Sequence, residues 1–141
     1  MIMRIEKCYP SRLNHVRDAC LKASEIARNV YNSVLDSALP LFIQEVELIV
    51  GEACTNTINH SDLSGQGKFI IQYQAKAMAY KILVMDQNPE FDFYHVPKPE
   101  FSDIPENGYG LYIIKKLTDE VIYKRKNGWN ILTMIKYIVH K

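Results

Sequence analysis

A run of apolar residues at helical spacing, from about Leu41 to Asn59, constrains the fold most strongly. Its apolar residues recur every three or four positions, which predicts a helix with one buried face, formed by Phe42, Val46, Ile49, Val50 and Ala53. Glu52 and Asn56 are four positions apart and therefore lie one turn above each other. Such a pair is typical of a solvated helix face, but it also offers oxygen ligands for a hard cation beside a base.

Two elements are predicted before this helix. Residues 2–9 mix apolar and charged side chains and indicate an edge strand. Pro10 and Ser11 break that pattern, and Ser11 is a plausible N-cap for a long amphipathic helix that begins at Leu13 and ends near Asp36. Pro40 suits the first turn of the helix that carries Glu52 and Asn56.

The second half of the chain indicates mostly strands. The patterns predict strands at 68–74, 80–85, 120–125 and 129–139, and the second of these delivers Asp86 at its end. The dipeptide Asn127-Gly128 is a strong signal for a two-residue hairpin between the last two strands. We therefore expect one α+β domain over residues 1–141, a two-layer sandwich of a mixed, mostly antiparallel sheet with helices on one face.

A segment with no periodic pattern separates Asp86 from the last helix. Residues 87–107 contain four of the six prolines, and long loops of this kind inside a compact domain are often functional lids. The sequence Gly108-Tyr109-Gly110 follows, and Leu111, Ile114 and Leu117 then mark a short helix.

Composition excludes several classes of partner. A net charge of +1 over 141 residues gives no basic field for direct nucleic-acid binding. No apolar run approaches the ~18 residues of a membrane span. Arg4 and Glu6 interrupt what would be the apolar region of a signal peptide, and the three cysteines lack metal-ligand or redox spacing. We therefore expect a cytoplasmic protein.

Three segments stand in a recognisable order. They are Glu52 to Asn56 at a helix end, Asp86 at a strand end, and Gly108 to Leu111 after the proline-rich loop. In this order and spacing they resemble the Bergerat-type ATP-binding domain shared by gyrase, histidine kinases and MutL. Within that superfamily the chain looks most like the small bacterial anti-sigma factors that are also serine protein kinases, and the likeness covers nearly the whole chain.

The resemblance implies a role for each of these residues. Asn56 matches the position that holds Mg²⁺ through its amide oxygen, and Glu52 matches the general base. Asp86 matches the carboxylate that accepts a hydrogen bond from the adenine amino group. Residues 87–107 match the ATP lid, and the residues that approach the nucleotide at its end are Gly108, Tyr109, Gly110 and Leu111.

The chain also departs from the family pattern. Asn88 and Glu90 stand where glycines are usual after the adenine-reading aspartate, and asparagine is the next most tolerant residue for a left-handed backbone. Asn130 replaces a common threonine and is expected to donate a hydrogen bond at the nucleotide. The lid has no arginine, and Lys98 is the candidate to stand in for it.

The resemblance implies an ATP- and Mg²⁺-dependent serine/threonine kinase that acts as an anti-sigma factor. Such a protein binds a sigma factor and phosphorylates an anti-anti-sigma (STAS-type) partner, and its exposed sheet surface suits a homodimer. The altered glycine positions leave open a non-catalytic regulatory module with a degenerate nucleotide pocket. The catalytic half of a phospho-relay kinase is a weaker alternative, because no helical hairpin with a phospho-accepting histidine precedes the domain.

Overall fold

The computed structural model describes residues 2–61, 67–90 and 109–138. It contains five strands and three α-helices in these ranges: β1 (Met3–Pro10), α1 (Val16–Leu35), α2 (Leu39–Asn59), β2 (Lys68–Ala75), β3 (Ala79–Asp86), α3 (Tyr109–Leu117), β4 (Glu120–Lys126) and β5 (Trp129–Tyr137). Short 3-10 turns precede α1 and α2. The predicted order of elements is confirmed, with boundaries that differ by a few residues.

The strands form one sheet in the order β1-β2-β3-β5-β4. All four pairings between the described strands are antiparallel, so the sheet is not mixed in this part of the chain. β1 lies at an edge, as predicted, and the helices pack on one face, which confirms the α+β class. Asn127 and Gly128 have φ angles of 52° and 81° and form the predicted two-residue turn.

The core lies between the helices and the covered face of the sheet. All five residues predicted to form the buried face of α2 are at most 7% exposed. Two tyrosines from the sheet fasten α1, because the Tyr73 hydroxyl donates to the Ala19 carbonyl (2.7 Å) and the Tyr80 hydroxyl donates to the Ala23 carbonyl (2.9 Å). A buried tyrosine needs a partner for its hydroxyl, and here each partner fixes the position of the helix.

The start of the first helix differs from the prediction. Ser11 is not an N-cap, because α1 begins after a 3-10 turn at Leu13–His15, and neither Arg12 nor His15 makes a side-chain capping hydrogen bond. The Ser11 side chain instead packs near Gly67. Pro40 lies in the first turn of α2, as predicted.

One charged side chain is buried where α2, α3 and β5 meet. Lys136 is 8% exposed, and its ammonium group donates to the Leu117 carbonyl at the end of α3 (2.8 Å). The same Nζ lies 3.3 Å from the Glu45 carboxylate of α2 and 5.5 Å from the Phe42 ring centroid. Lys136 therefore ties the C-terminal end of α3 to the rest of the domain.

The other face of the sheet is not covered by any described element. A shallow groove on it is lined by apolar side chains between an acidic and a basic one: Glu6, Ile70, Met85, Lys126, Asn127, Trp129 and Ile131. Among the described helices, none has the length and apolar character required to cross a membrane.

Candidate functional site

The site is centred on Asp86, the last residue of β3. Its carboxylate is buried, with 6% of the residue exposed. Thr57 donates its hydroxyl to Oδ2 (3.0 Å), while the Asn130 amide (2.7 Å) and the backbone N–H of Asn88 (3.0 Å) both donate to Oδ1. A buried charge needs such partners, and these three come from α2, β5 and the segment after β3.

Asn130 reaches Asp86 because the two residues are paired across β3 and β5. Its amide oxygen accepts from the Tyr123 hydroxyl (2.6 Å) and from Nη1 of Arg125 (2.8 Å). Its amide nitrogen donates to Asp86 and also to the carbonyl of Asn88 (2.8 Å). The prediction that Asn130 still donates a hydrogen bond concerned a nucleotide, whereas the observed acceptors are protein groups.

Asn88 does not adopt the left-handed backbone for which asparagine was expected to be tolerated. Asp36 and Asn127 are the two non-glycine residues with positive φ in the described part of the chain. Asn88 instead uses its side chain, since Nδ2 donates to the Thr57 carbonyl on α2 (2.8 Å). It therefore connects the end of β3 to α2, a contact that a glycine cannot make. Glu90 is exposed.

Glu52 and Asn56 are half-buried one turn apart on α2, as predicted. Glu52 faces the first turn of α3, because a Cβ atom built on Gly110 would lie 2.8 Å from Oε2 of Glu52. That distance is closer than side chains approach, so a glycine at this position makes room for the carboxylate. Within the part of the chain that the structure describes, the side chains of Glu52 and Asn56 make no hydrogen bond.

Most of the remaining predicted site residues lie outside the described part of the chain. Tyr109 begins α3, but its side chain lies outside the described residues, as do Gly108, Lys98 and lid residues 91–107. The Leu111 side chain belongs to the hydrophobic core and is 7% exposed, so any contact of this residue with a nucleotide would come from its backbone. The structure thus joins Asp86, Asn88 and Asn130 in one network, and it separately sets Gly110 against Glu52.

The described residues hold no ready-made metal cage. Among them, no group of three or more His, Cys, Asp or Glu side chains is placed to bind a metal ion. Mg²⁺ bound to phosphates keeps several waters and needs few protein ligands, which fits a single amide oxygen such as that of Asn56. Burial raises the pKa of the Cys54 thiol above its ordinary value, and nearby Cys20 adds to the rise. Cys54 is also 0% exposed, so its thiol belongs to the core although it lies two residues from Glu52.

Sequence reasoning missed three residues of the network. Thr57 continues the apolar stripe of Val50 and Ala53, and a polar residue on a buried face signals a buried partner. Tyr123 and Arg125 were overlooked although the Asn127-Gly128 turn had been identified. A two-residue turn at 127–128 pairs position 125 with position 130, and the structure shows this pairing. The contact between Arg125 and Asn130 can therefore be predicted from the sequence.

Comparison with known proteins shows the family of the chain. The profile of the histidine kinase-like ATPase domain family matches residues 9–136. This chain belongs to that family. It is similar to proteins named serine-protein kinase RsbW from Bacillus thuringiensis (strain Al Hakam) and Bacillus cereus (strain AH820). Each of these relatives is 28% identical over 144 residues, which covers 96% of this chain and 85% of the relative. The family and the names of these relatives support a kinase-type, ATP-binding protein.

Proposed function

We propose that this protein is an anti-sigma factor with ATP-dependent serine kinase activity. It would bind a sigma factor and transfer the γ-phosphate of ATP to a serine of an anti-anti-sigma (STAS-type) partner. The observation that carries the proposal is the Asp86 carboxylate, which is buried at a strand end and fixed by three donors beside the helix that bears Glu52 and Asn56.

The proposed roles follow from the chemistry of each group. Asp86 accepts a hydrogen bond from the amino group of adenine, and its fixed position lowers the cost of ordering it on binding. Asn56 would hold Mg²⁺, which neutralises charge on the phosphate oxygens when it is bound. Glu52 takes the proton of the serine hydroxyl, and Gly110 leaves room for its carboxylate.

Binding of Mg-ATP, measured by calorimetry, tests the first half of this proposal. We expect binding to wild-type protein, weaker binding when Mg²⁺ is removed with EDTA, and weaker binding to Asp86→Asn. Transfer of labelled γ-phosphate to a purified anti-anti-sigma protein tests the second half. Glu52→Ala should abolish transfer and retain Mg-ATP binding. A protein that binds Mg-ATP and never labels such a partner is not the kinase proposed here.

The second candidate is a regulatory module that controls a partner by contact alone. It is favoured by the side chains of Asn88 and Asn130, whose amide hydrogens are directed at protein acceptors rather than at an open pocket. Such a module needs no nucleotide. Absence of ATP and ADP binding at millimolar nucleotide would support it, whereas tight Mg-ATP binding would exclude a degenerate pocket.

A homodimer through the uncovered sheet face is also part of the proposal. The groove there places Glu6 and Lys126 on either side of apolar residues that include Met85 and Trp129. A two-fold axis through this groove brings Glu6 of one copy toward Lys126 of the other, which makes the surface self-complementary. Sedimentation equilibrium should show a dimer for wild type and a monomer for Met85→Lys. An unchanged dimer in that variant places the interface elsewhere.

A further inference from the structure

We infer that Tyr123 and Arg125 are positioning residues that make the nucleotide site exclude keto purines, namely guanine and hypoxanthine. They act through the amide of Asn130, which lies against Asp86. The inference rests on the proposed function, because it concerns the base bound at the same site. It assigns a specificity role to two residues of β4 that lie outside the three motif segments.

The hydrogen bonds around Asn130 permit one orientation of its amide. Two donors, the Tyr123 hydroxyl and Nη1 of Arg125, converge on Oδ1 at 2.6 and 2.8 Å. Two acceptors, Oδ1 of Asp86 and the Asn88 carbonyl, lie 2.7 and 2.8 Å from Nδ2. Turning the amide over would point N–H groups at both donors and an oxygen at a carboxylate. Tyr123 and Arg125 therefore fix which end of the amide faces Asp86.

This orientation occupies the donors nearest to Asp86. A carboxamide has two N–H groups, and those of Asn130 are directed at Asp86 and at the Asn88 carbonyl. The backbone N–H of Asn88 is directed at Asp86 as well, and the Asn88 side chain donates to the Thr57 carbonyl. Among the described residues, the hydrogen-bonding capacity left at the site is therefore that of an acceptor, on the Asp86 carboxylate.

The engaged donors and the available acceptor at Asp86 determine which purine base can bind. The amino group at position 6 of adenine donates, and it matches an acceptor. The oxygen at position 6 of guanine or hypoxanthine accepts, so it meets the carboxylate without a donor. A site that leaves a polar group unpaired rejects the wrong ligand strongly. The lock on Asn130 matters because its N–H groups already lie beside Asp86. An amide no longer held by Tyr123 and Arg125 would be able to shift and offer one of these N–H groups to that oxygen, which would let a keto base bind.

The hairpin places both locking residues on the side of the sheet that holds Asp86. Arg125 pairs with Asn130 across β4 and β5, and Tyr123 lies two positions earlier, on the same face. Arg125 also donates to the Asn88 carbonyl (3.0 Å), so one guanidinium joins β4, β5 and the segment after β3. Lys124 lies between them and points to the opposite face, which makes it a matched control.

The test compares the affinities of ATP, GTP and ITP, each with Mg²⁺, by calorimetry. ITP carries hypoxanthine, which differs from adenine by the oxygen at position 6 and the proton on N1 and lacks the 2-amino group of guanine, so the ratio of the ITP Kd to the ATP Kd reports on this edge of the base alone. In Tyr123→Phe/Arg125→Met we expect this ratio to fall about tenfold, the worth of roughly one hydrogen bond. Lys124→Met should leave the ratio at the wild-type value, and Arg125→Lys, which keeps one donor, should give an intermediate ratio.

The outcomes separate this inference from the proposed function. Wild type that binds ATP, with the same ITP-to-ATP ratio in all variants, overturns the inference and leaves the proposed function standing. Wild type that binds no nucleotide overturns both. An equal fall of the ratio in Lys124→Met also overturns the inference, because the effect would then be general. Should the double variant fail to fold, Tyr123→Phe removes a single oxygen atom, and an unchanged ratio in it counts against the lock.

Discussion

The two halves of the proposed nucleotide site are built differently. On the base side, Asp86, Asn88 and Asn130 are joined to one another by hydrogen bonds of 2.7–3.0 Å. On the phosphate side, Glu52 and Asn56 are half-buried on α2 without such partners among the described residues. Under the proposed function, the hydrogen-bonded base side lowers the cost of binding, and Glu52 and Asn56 would take their partners from the ligand. Affinity should therefore depend mainly on the base side, and the rate of transfer on the phosphate side.

Replacing Glu52 by glutamine should produce the largest effect. Loss of a general base slows proton transfer by roughly 10²- to 10⁴-fold. Glutamine keeps the shape of the side chain beside Gly110, so the Kd for Mg-ATP should stay within about twofold, since no base-side contact is touched. Transfer of labelled phosphate and calorimetry measure the two quantities, with Glu47→Gln on the same helix as control. A large loss of affinity for Mg-ATP would contradict the claim that affinity depends mainly on the base side.

Asp86→Asn should have the next largest effect, and on affinity rather than rate. A hydrogen bond to a charged group contributes about 1.5–3 kcal/mol, so the Kd for ATP should rise roughly 10- to 150-fold. The rate at saturating ATP should change little. Glu25→Gln, a substitution in a surface ion pair with Lys22, is the control for general effects. Unchanged affinity would show that the base lies elsewhere.

The substitution Gly110→Ala, in the first turn of α3, tests the position of Glu52 on the phosphate side. The added Cβ would lie 2.8 Å from the Glu52 carboxylate, and that flexible group would move away rather than unfold the helix. We expect transfer to slow by about tenfold, because a displacement on the order of 1 Å misaligns a base. The midpoint of urea unfolding should remain near the wild-type value. A normal rate would mean that the position of Glu52 in this arrangement is not the catalytic one.

Gly128→Ala should have the smallest effect and act on the base side alone. Gly128 has a φ of 81°, which costs an alanine about 1 kcal/mol. The turn sets the pairing of Arg125 with Asn130, so a small loss of stability should accompany a modest rise in the Kd for ATP. Urea unfolding and calorimetry measure both. A change in transfer rate at saturating ATP would contradict the claim that this substitution acts on the base side alone.

The sequence predicted the elements well because their signals are local. The stripe of α2 is set by helical periodicity, and the final hairpin by the φ angles that Asn127 and Gly128 tolerate. Ser11 failed as an N-cap because a 3-10 turn separates it from α1, and nothing in its neighbours signals that turn. Local rules fix an element more reliably than its end.

The site was predictable only in part, because its contacts join residues far apart in the chain. The pairing of Asp86 with Asn130 spans 44 residues, and it depends on which strand follows β3 in the sheet. Asn88 was judged by its backbone tolerance, whereas its side chain carries the contact to Thr57. An unusual residue in a motif, such as Asn88, indicates that the position has a different role. The sequence does not indicate which residue its side chain contacts.

Lys136 has a mechanical consequence for the phosphate side. By holding the Leu117 carbonyl and the Glu45 carboxylate, it fixes the C-terminal end of α3 against α2. Leu111 and Ile114 bury the rest of this nine-residue helix in the core, and its first turn sets Gly110 against Glu52. The ammonium group of Lys136 therefore helps to set the position of the acid from about 10 Å away, through a helix that touches neither Asp86 nor Asn130 by a hydrogen bond among the described residues.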